Sequence, residues 1–196
     1  MLSTDSPAYF PLLIKSLLPT PLQNAPETEI VSAGLIRYSY RDFDTRLKTL
    51  ASGLAKHGIG QGDVVAVMDW DTHRYFECFF AVPMLGAVLH TVNIRLAPAQ
   101  IAYTIDHAED DVILVHADFL PLMEEVMPLV KRDVRLILLR DDPAQDPDCS
   151  FDFVTSYDAM MADPAADFEF PDFDEGTRAT TFYTTGTTGE PKAVAY

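Results

Sequence analysis

The residues best suited to chemistry lie together near the carboxyl end of the chain. Residues Thr181 to Tyr196 read Thr-Phe-Tyr-Thr-Thr-Gly-Thr-Thr-Gly-Glu-Pro-Lys-Ala-Val-Ala-Tyr. Glycine permits positive φ and close backbone approach, so successive N–H groups can converge on an anion, while threonine hydroxyls and a lysine add donors and positive charge. This composition is typical of a phosphate-binding loop. A Gly/Thr surface loop without a ligand is the alternative interpretation.

The spacing excludes two common phosphate loops. A Walker loop places Gly-Lys-Ser/Thr after four variable residues, whereas here Pro191 precedes Lys192 and Ala193 follows it. A dinucleotide fingerprint needs Gly-x-Gly-x-x-Gly, and only Gly186 and Gly189 fit the last pair of that pattern. A Walker-type NTPase is therefore a distant alternative.

The segment Tyr183 to Val194 resembles the signature loop of the adenylate-forming superfamily, which includes acyl-CoA synthetases. That pattern is a tyrosine, Thr-Ser-Gly-Thr-Thr-Gly, one variable residue, Pro-Lys, a small residue and valine. Here Thr185 replaces the common serine and Ala193 the common glycine, so the hydroxyl and the small size are retained. A second stretch, His90 to Pro98, resembles the His-Thr-x-Asn-x-Arg-Leu segment of fatty-acyl-CoA ligases, with Ile94 in place of a frequent proline.

The resemblance implies a two-step reaction. A carboxylic acid, expected to be a fatty acid, attacks the α-phosphate of ATP to give an acyl adenylate and pyrophosphate, and coenzyme A then displaces AMP. Mg²⁺, lysine and oriented N–H groups are expected to neutralise the two anions that must meet. The resemblance assigns the β- and γ-phosphates to the following residues: Thr184, Thr185, Gly186, Thr187, Thr188, Gly189 and Lys192. Glu190 should face solvent, and Tyr183 should pack beneath the loop.

The later motifs of the superfamily are absent from these 196 residues. They comprise a glutamate for magnesium, an aspartate for the ribose, a hinge, and a small domain with a catalytic lysine. We therefore expect an incomplete N-terminal adenylation domain that is inactive by itself, with no complete catalytic set and no metal ligands of its own. The competing hypothesis is a non-catalytic α/β module or inert fragment that self-associates through an unfinished sheet.

Composition narrows the class of protein. The chain is 48% hydrophobic and 22% charged, which is typical of a globular domain. Its net charge of −16 argues against nucleic-acid binding. Between Asp141 and Gly176 there are twelve acidic residues and no Lys or Arg, so we interpret this segment as a solvated connection. The two cysteines, Cys78 and Cys149, lie far apart, and no apolar run is long enough to span a bilayer; both features favour a cytoplasmic protein.

Hydrophobic periodicity predicts the scaffold. We expect a wrapping segment and hairpin over residues 1–40, a βα core over 41–140, the acidic connection over 141–178, and a strand with the phosphate loop over 179–196. Apolar runs begin near Val64, Val88, Val112 and Val134, separated by segments with helical spacing at Thr72 to Leu85, Pro98 to Ala108 and Asp118 to Val130. This alternation predicts an α/β fold with a doubly wound, mostly parallel sheet and flanking helices.

Overall fold

The computed structural model describes residues 10–34, 36–184 and 189–196. Its amino-terminal part forms a 3₁₀ turn at Ile14–Leu17 and a short helix α1 at Pro19–Asn24. The expected irregular segment is thus partly helical, because prolines in the first turn of a helix remove no intrahelical hydrogen bond. Strands β1 (Glu29–Ser32) and β2 (Ile36–Ser39) then pair as the predicted antiparallel hairpin.

Helix α2 (Tyr40–Lys56) begins at a capping box. The Ser39 hydroxyl accepts a hydrogen bond from the Asp42 N–H, and the Asp42 carboxylate accepts one from the Ser39 N–H. These bonds satisfy two otherwise unpaired donors and fix the first residue of the helix. The buried face carries Phe43, Leu47, Leu50 and Leu54 into the core.

The predicted βα alternation is confirmed. Strands β3 (Val64–Met68), β4 (Val88–Thr91), β5 (Val112–His116) and β6 (Arg135–Leu139) are parallel. Helices α3 (His73–Met84), α4 (Pro98–Ala108) and α5 (Leu120–Val126) connect them. The third helix is shorter than expected, since 3₁₀ turns at Ala117–Phe119 and Met127–Leu129 take up its ends.

The acidic connection contributes a two-residue strand β7 (Thr155–Ser156) and a short helix α6 (Tyr157–Met161). Beyond α6, Phe168 and Phe170 pack against the core, so this part of the acidic connection is not wholly solvated. Lys15 also fixes this segment, because its ammonium donates a hydrogen bond to the Phe170 carbonyl oxygen at 3.0 Å.

The main sheet has the order β7-β6-β5-β3-β4-β8-β9, where β8 is Thr180–Thr184 and β9 is Lys192–Ala195. Only β9 is antiparallel to its neighbour among the described strands of this sheet. Helices α2, α3 and α6 pack on one face, and α4 and α5 pack on the other. The fold is therefore the predicted doubly wound α/β arrangement, with a core layer on each side of the sheet.

Candidate functional site

The Thr/Gly loop closes a hairpin at the carboxyl edge of the parallel strands. β8 runs parallel to β4 and ends at Thr184, while β9 starts at Lys192 and returns antiparallel with Thr184 opposite Lys192. Four predicted phosphate ligands, Thr185, Gly186, Thr187 and Thr188, lie outside the described residues. The pairing of β8 with β9 therefore holds the two described ends of the loop close together.

The structure describes three of the ligand candidates, Thr184, Gly189 and Lys192, and all three are exposed. Thr184 and Lys192 are exposed, and the Thr184 hydroxyl makes a long 3.5 Å hydrogen bond to the Lys192 carbonyl oxygen. Gly189 has φ of +105°, which an L side chain rarely adopts, and among the described residues none beyond its chain neighbours comes within 4 Å of the position where a Cβ would be. Gly189 itself is exposed.

Two residues lie between Gly189 and Lys192, and one of them is exposed whereas the other is buried. Glu190 is exposed, which confirms that the variable position of the loop faces solvent. Pro191 is buried and so fixes the chain just before β9. The segment is followed by strand β9. Walker and dinucleotide loops are followed by a helix, so the structure agrees with the spacing, which excluded both.

Tyr183 points to the opposite face of β8 from Thr184, because side chains alternate along a strand. Its side chain packs with Val64, Val88 and Ala108, and its hydroxyl lies 2.8 Å from His107 Nδ1 on α4. Burial, reinforced by the nearby Asp110 carboxylate, raises the pKa of the Tyr183 hydroxyl. The tyrosine is thereby kept neutral and serves as an anchor between the strand and the helix.

His90 forms a buried pair beside this anchor. Its Nδ1 lies 2.8 Å and 2.9 Å from the two carboxylate oxygens of Asp110, and its ring centre is 5.2 Å from that of Tyr183. Burial raises the pKa of Asp110, although His90 opposes that shift. Within the described residues, His90 Nε2 has no hydrogen-bond partner. These contacts give His90 a structural role, because they join β4 to β8 and to the residues that follow α4.

The fold brings the two motifs of the sequence together. β4 and β8 are adjacent and parallel, with His90 opposite Thr181 and Thr91 opposite Phe182. The chain that leaves β4 therefore departs from the same edge as the Thr/Gly loop. Sequence reasoning did not predict this adjacency, because nothing local specifies which strand β8 joins.

Sequence reasoning also missed an ionic cluster at the same edge of the sheet. Arg74, which is 4% exposed, donates to the Arg140 carbonyl oxygen and to Asp141 at 2.9 Å each, and it lies 3.4 Å from Asp69. The hydrogen bond from Arg74 is the main cause of the lowered pKa of Asp141. These contacts of Arg74 join the ends of β3 and β6. The one feature of the sequence that could have indicated the cluster is a single arginine in an otherwise largely apolar helix.

Across residues 10–34, 36–184 and 189–196, no group of three His, Cys, Asp or Glu side chains could hold a metal ion. None of the helices in the described part of the chain is both long and apolar enough to cross a bilayer.

Comparison with known proteins decides the family. The model of the AMP-binding enzyme family matches residues 20–196, which include the whole Thr/Gly loop. The chain belongs to the AMP-binding enzyme family.

This AMP-binding chain is 36% identical to the 3-methylmercaptopropionyl-CoA ligase of Ruegeria pomeroyi, over 96% of the chain and 35% of the relative. It is 38% identical to the long-chain-fatty-acid–CoA ligase of Thermus thermophilus, over 82% of the chain and 28% of the relative. The chain therefore spans about a third of the length of these curated relatives.

A solved structure shows the same fold. The anthranilate CoA ligase AuaEII in complex with anthranoyl-AMP superposes on the entire AMP-binding chain with a TM-score of 0.79 at 19% identity, and the match covers 35% of that structure.

Proposed function

We propose that this chain is the part of an ATP-dependent acid–CoA ligase that holds the polyphosphate of ATP. The observation that carries the proposal is the pairing of β8 with β9, whose loop ends present an exposed hydroxyl, an exposed glycine with positive φ and an exposed lysine at one edge of the sheet. Both curated relatives compared above are named as CoA ligases, which supports an acid as substrate and coenzyme A as acceptor.

In this proposal the loop binds and orients the nucleotide. The hydroxyls of Thr184, Thr185, Thr187 and Thr188 and the amides of Gly186 and Gly189 surround the β- and γ-phosphates. Lys192 pairs with the same phosphates, because its ammonium supplies positive charge where the pyrophosphate leaving group develops negative charge. A carboxylate becomes a good acyl electrophile only once AMP is its leaving group, so holding the polyphosphate in place favours the first step.

Mg²⁺ is expected to accompany ATP, but the described residues offer no carboxylate cluster to bind it. We further propose that the acid has an apolar acyl chain, supported by the fatty-acid ligase among the relatives, and that the 196 residues alone complete neither half-reaction.

The test begins with the DNA that follows the codon for Tyr196. A longer reading frame that encodes the remaining motifs should yield a protein that exchanges labelled pyrophosphate into ATP only when an acid is supplied. In that protein, Lys192→Ala should lower the exchange rate by about 100-fold or more, since removal of a single transition-state donor commonly has this effect.

The matched control is Lys56→Ala, because Lys56 is an exposed lysine that pairs with Asp163 far along the chain. It should exchange pyrophosphate at the wild-type rate. Equal exchange by the Lys192 and Lys56 variants would refute the assigned role of the loop, and exchange without added acid would refute the acid ligase.

A further inference from the structure

Arg95 is an isolated cation beside the Thr/Gly loop. Between Glu77 and Asp106 it is the only Lys, Arg, Asp or Glu in the sequence. It follows β4, which lies beside the strand that leads into the loop, β8. Its side chain is exposed, and none of the described carboxylates forms an ion pair with it. The guanidinium is therefore accessible to a ligand from solution.

Hydrogen bonds fix the turn that carries Arg95. The Arg95 N–H donates to the side-chain oxygen of Asn93 at 3.0 Å, and the Leu96 N–H donates to the Asn93 carbonyl oxygen at 3.2 Å. Asparagine commonly stabilises turns in this way. The backbone of Arg95 is thus held in place without any contribution from its guanidinium.

Alternating burial gives the direction of the guanidinium. Val92 is buried, and Ile94 and Leu96 pack against the core that lies between the sheet and helices α4 and α5. Asn93 and Arg95, which alternate with these three residues, are exposed. Arg95 therefore faces away from the core on the α4 side of the sheet.

The first threonine of the loop faces the same way. Tyr183 packs on the α4 side, and side chains alternate along a strand, so Thr184 points away from α4. Thr91 at the end of β4 pairs with Phe182 on β8, and adjacent strands lie about 5 Å apart. The chain that carries Arg95 and the chain that enters the loop consequently leave the sheet side by side.

Carboxylates that follow the other parallel strands already have partners. Arg74 pairs with Asp69 and Asp141, and the Trp70 indole N–H donates to Asp118 at 2.8 Å. An anion that approaches a chain of net charge −16 requires local positive charge, and exposed cations at one edge supply it.

We propose that Arg95 is a second cation, together with Lys192, for the phosphate groups held at this edge of the sheet. A guanidinium presents a planar fork of N–H donors that fits two phosphate oxygens, whereas a lysine acts as a point charge. Phosphate groups are common to ATP and coenzyme A, and the position of Arg95 beside the Thr/Gly loop favours the polyphosphate of ATP. This role rests on the proposed function of the loop.

The first experiment titrates the 196-residue chain with inorganic pyrophosphate at constant ionic strength and follows the backbone amide signals by NMR. The variant is Arg95→Gln. The matched control is Arg178→Gln, because Arg178 is an exposed arginine at the opposite end of β8 and its replacement removes the same charge.

Pyrophosphate should shift the amide signals of Thr184 and Lys192 in the wild type. Arg95→Gln should raise the Kd by about tenfold, the usual effect of losing a hydrogen bond to a charged group. Arg178→Gln should change it by less than about twofold, since salt screens a distant charge. Equal Kd values for the two variants would overturn the role of Arg95, as would a wild type whose Thr184 and Lys192 signals do not move. Acid-dependent pyrophosphate exchange decides the proposed function separately.

The second experiment distinguishes the two sources of phosphate in the extended protein that carries the remaining motifs. Arg95→Gln should raise the KM for ATP in pyrophosphate exchange and leave the KM for coenzyme A in thioester formation unchanged. Arg178→Gln should match the wild type in both assays. A rise in the KM for coenzyme A alone would overturn the assignment of Arg95 to ATP.

Discussion

At the scale of single residues, buried charge has the largest consequences. Glu77 on α3 is fully buried and is surrounded by donors: Arg46 donates to its Oε1 at 2.7 Å, and the hydroxyls of Tyr38 and Tyr157 donate to it as well. A buried carboxylate is tolerated only when such partners replace water. The hydrogen bonds thereby join α2, α3 and α6 through one side chain.

Replacement of Glu77 by alanine should lower the free energy of unfolding by about 3 kcal/mol or more, because Arg46 is left without its buried partner. Urea unfolding of the chain measures this change. The control is Glu124→Ala on the exposed side of α5, which should change the stability by less than about 0.5 kcal/mol. Similar values for both variants would show that the Glu77 network contributes little.

His73, at the start of α3, should make stability depend on pH. Burial, together with the positive charges of Arg74 and Arg46, lowers the pKa of His73 from 6.5 to about 4. The unfolded chain therefore binds more protons than the folded one between these values, so the free energy of unfolding should fall as the pH decreases from 6.5 to 4. His73→Gln should reduce the steepness of this fall in urea titrations. An unchanged slope in the variant would contradict the shifted pKa.

At the scale of elements, the phosphate loop depends on how β8 is held. Its neighbours in the sheet, β4 and β9, fix the strand laterally, and Tyr183 fixes it to α4 through His107. The anchor lies one residue before Thr184. A shift of β8 would consequently move the first ligand of the loop directly.

Tyr183→Phe should lower the free energy of unfolding by about 1 kcal/mol, the usual contribution of one hydrogen bond. Hydrogen exchange of the β8 amides should also become faster, because the strand opens more readily. Tyr103→Phe is the control, since Tyr103 lies on α4 with its ring centre 5.4 Å from that of His107 but takes no part in the Tyr183 hydrogen bond. Faster exchange in both variants alike would remove the special role of Tyr183.

At the scale of the whole molecule, negative charge opposes compactness. The net charge is −16, and twelve of the 30 acidic residues lie between Asp141 and Gly176. Several of these acids pair with cations of the βα core, as Asp163 does with Lys56 and Asp158 with Arg140. The Lys56–Asp163 pair is exposed and such a pair contributes little, whereas Arg140–Asp158 is a single partly buried pair, so repulsion among the other acids should dominate the salt response.

We therefore expect the melting temperature of the chain to rise when sodium chloride is increased from about 0.02 M to about 0.5 M, as screening weakens the self-repulsion. Scanning calorimetry at several salt concentrations measures this. A glucose solution of matched osmolarity controls for effects other than screening. A melting temperature that falls with salt would mean that ion pairs outweigh the repulsion.

Family membership is also a property of nearly the whole chain. The sequence alone pointed to the adenylate-forming superfamily through a dozen ordered positions, and the family match over residues 20–196 confirms that relation. The predictions for Thr185, Gly186, Thr187 and Thr188 stay predictions, since these residues lie outside the described structure. The acid substrate likewise remains a proposal.

The sequence by itself determined the local elements and the family resemblance of the loop, and it predicted that the loop binds phosphate. Periodicity, the Ser39 capping box and Pro98 at a helix start act over a few residues, so the bounds of α2, β3 and α4 follow from local chemistry. The composition of the loop likewise indicates an anion-binding site, because the conformations of glycine and the hydroxyl donors of threonine are local properties.

The tertiary structure alone decided which distant residues meet. The position of β8 beside β4, the contact of Tyr183 with His107, and the partners of Glu77 and Arg74 join segments that are remote in the chain. Strand order and buried pairing depend on how whole layers pack, because the free energy of each contact is gained only after the layers have come together. No local pattern encodes that arrangement.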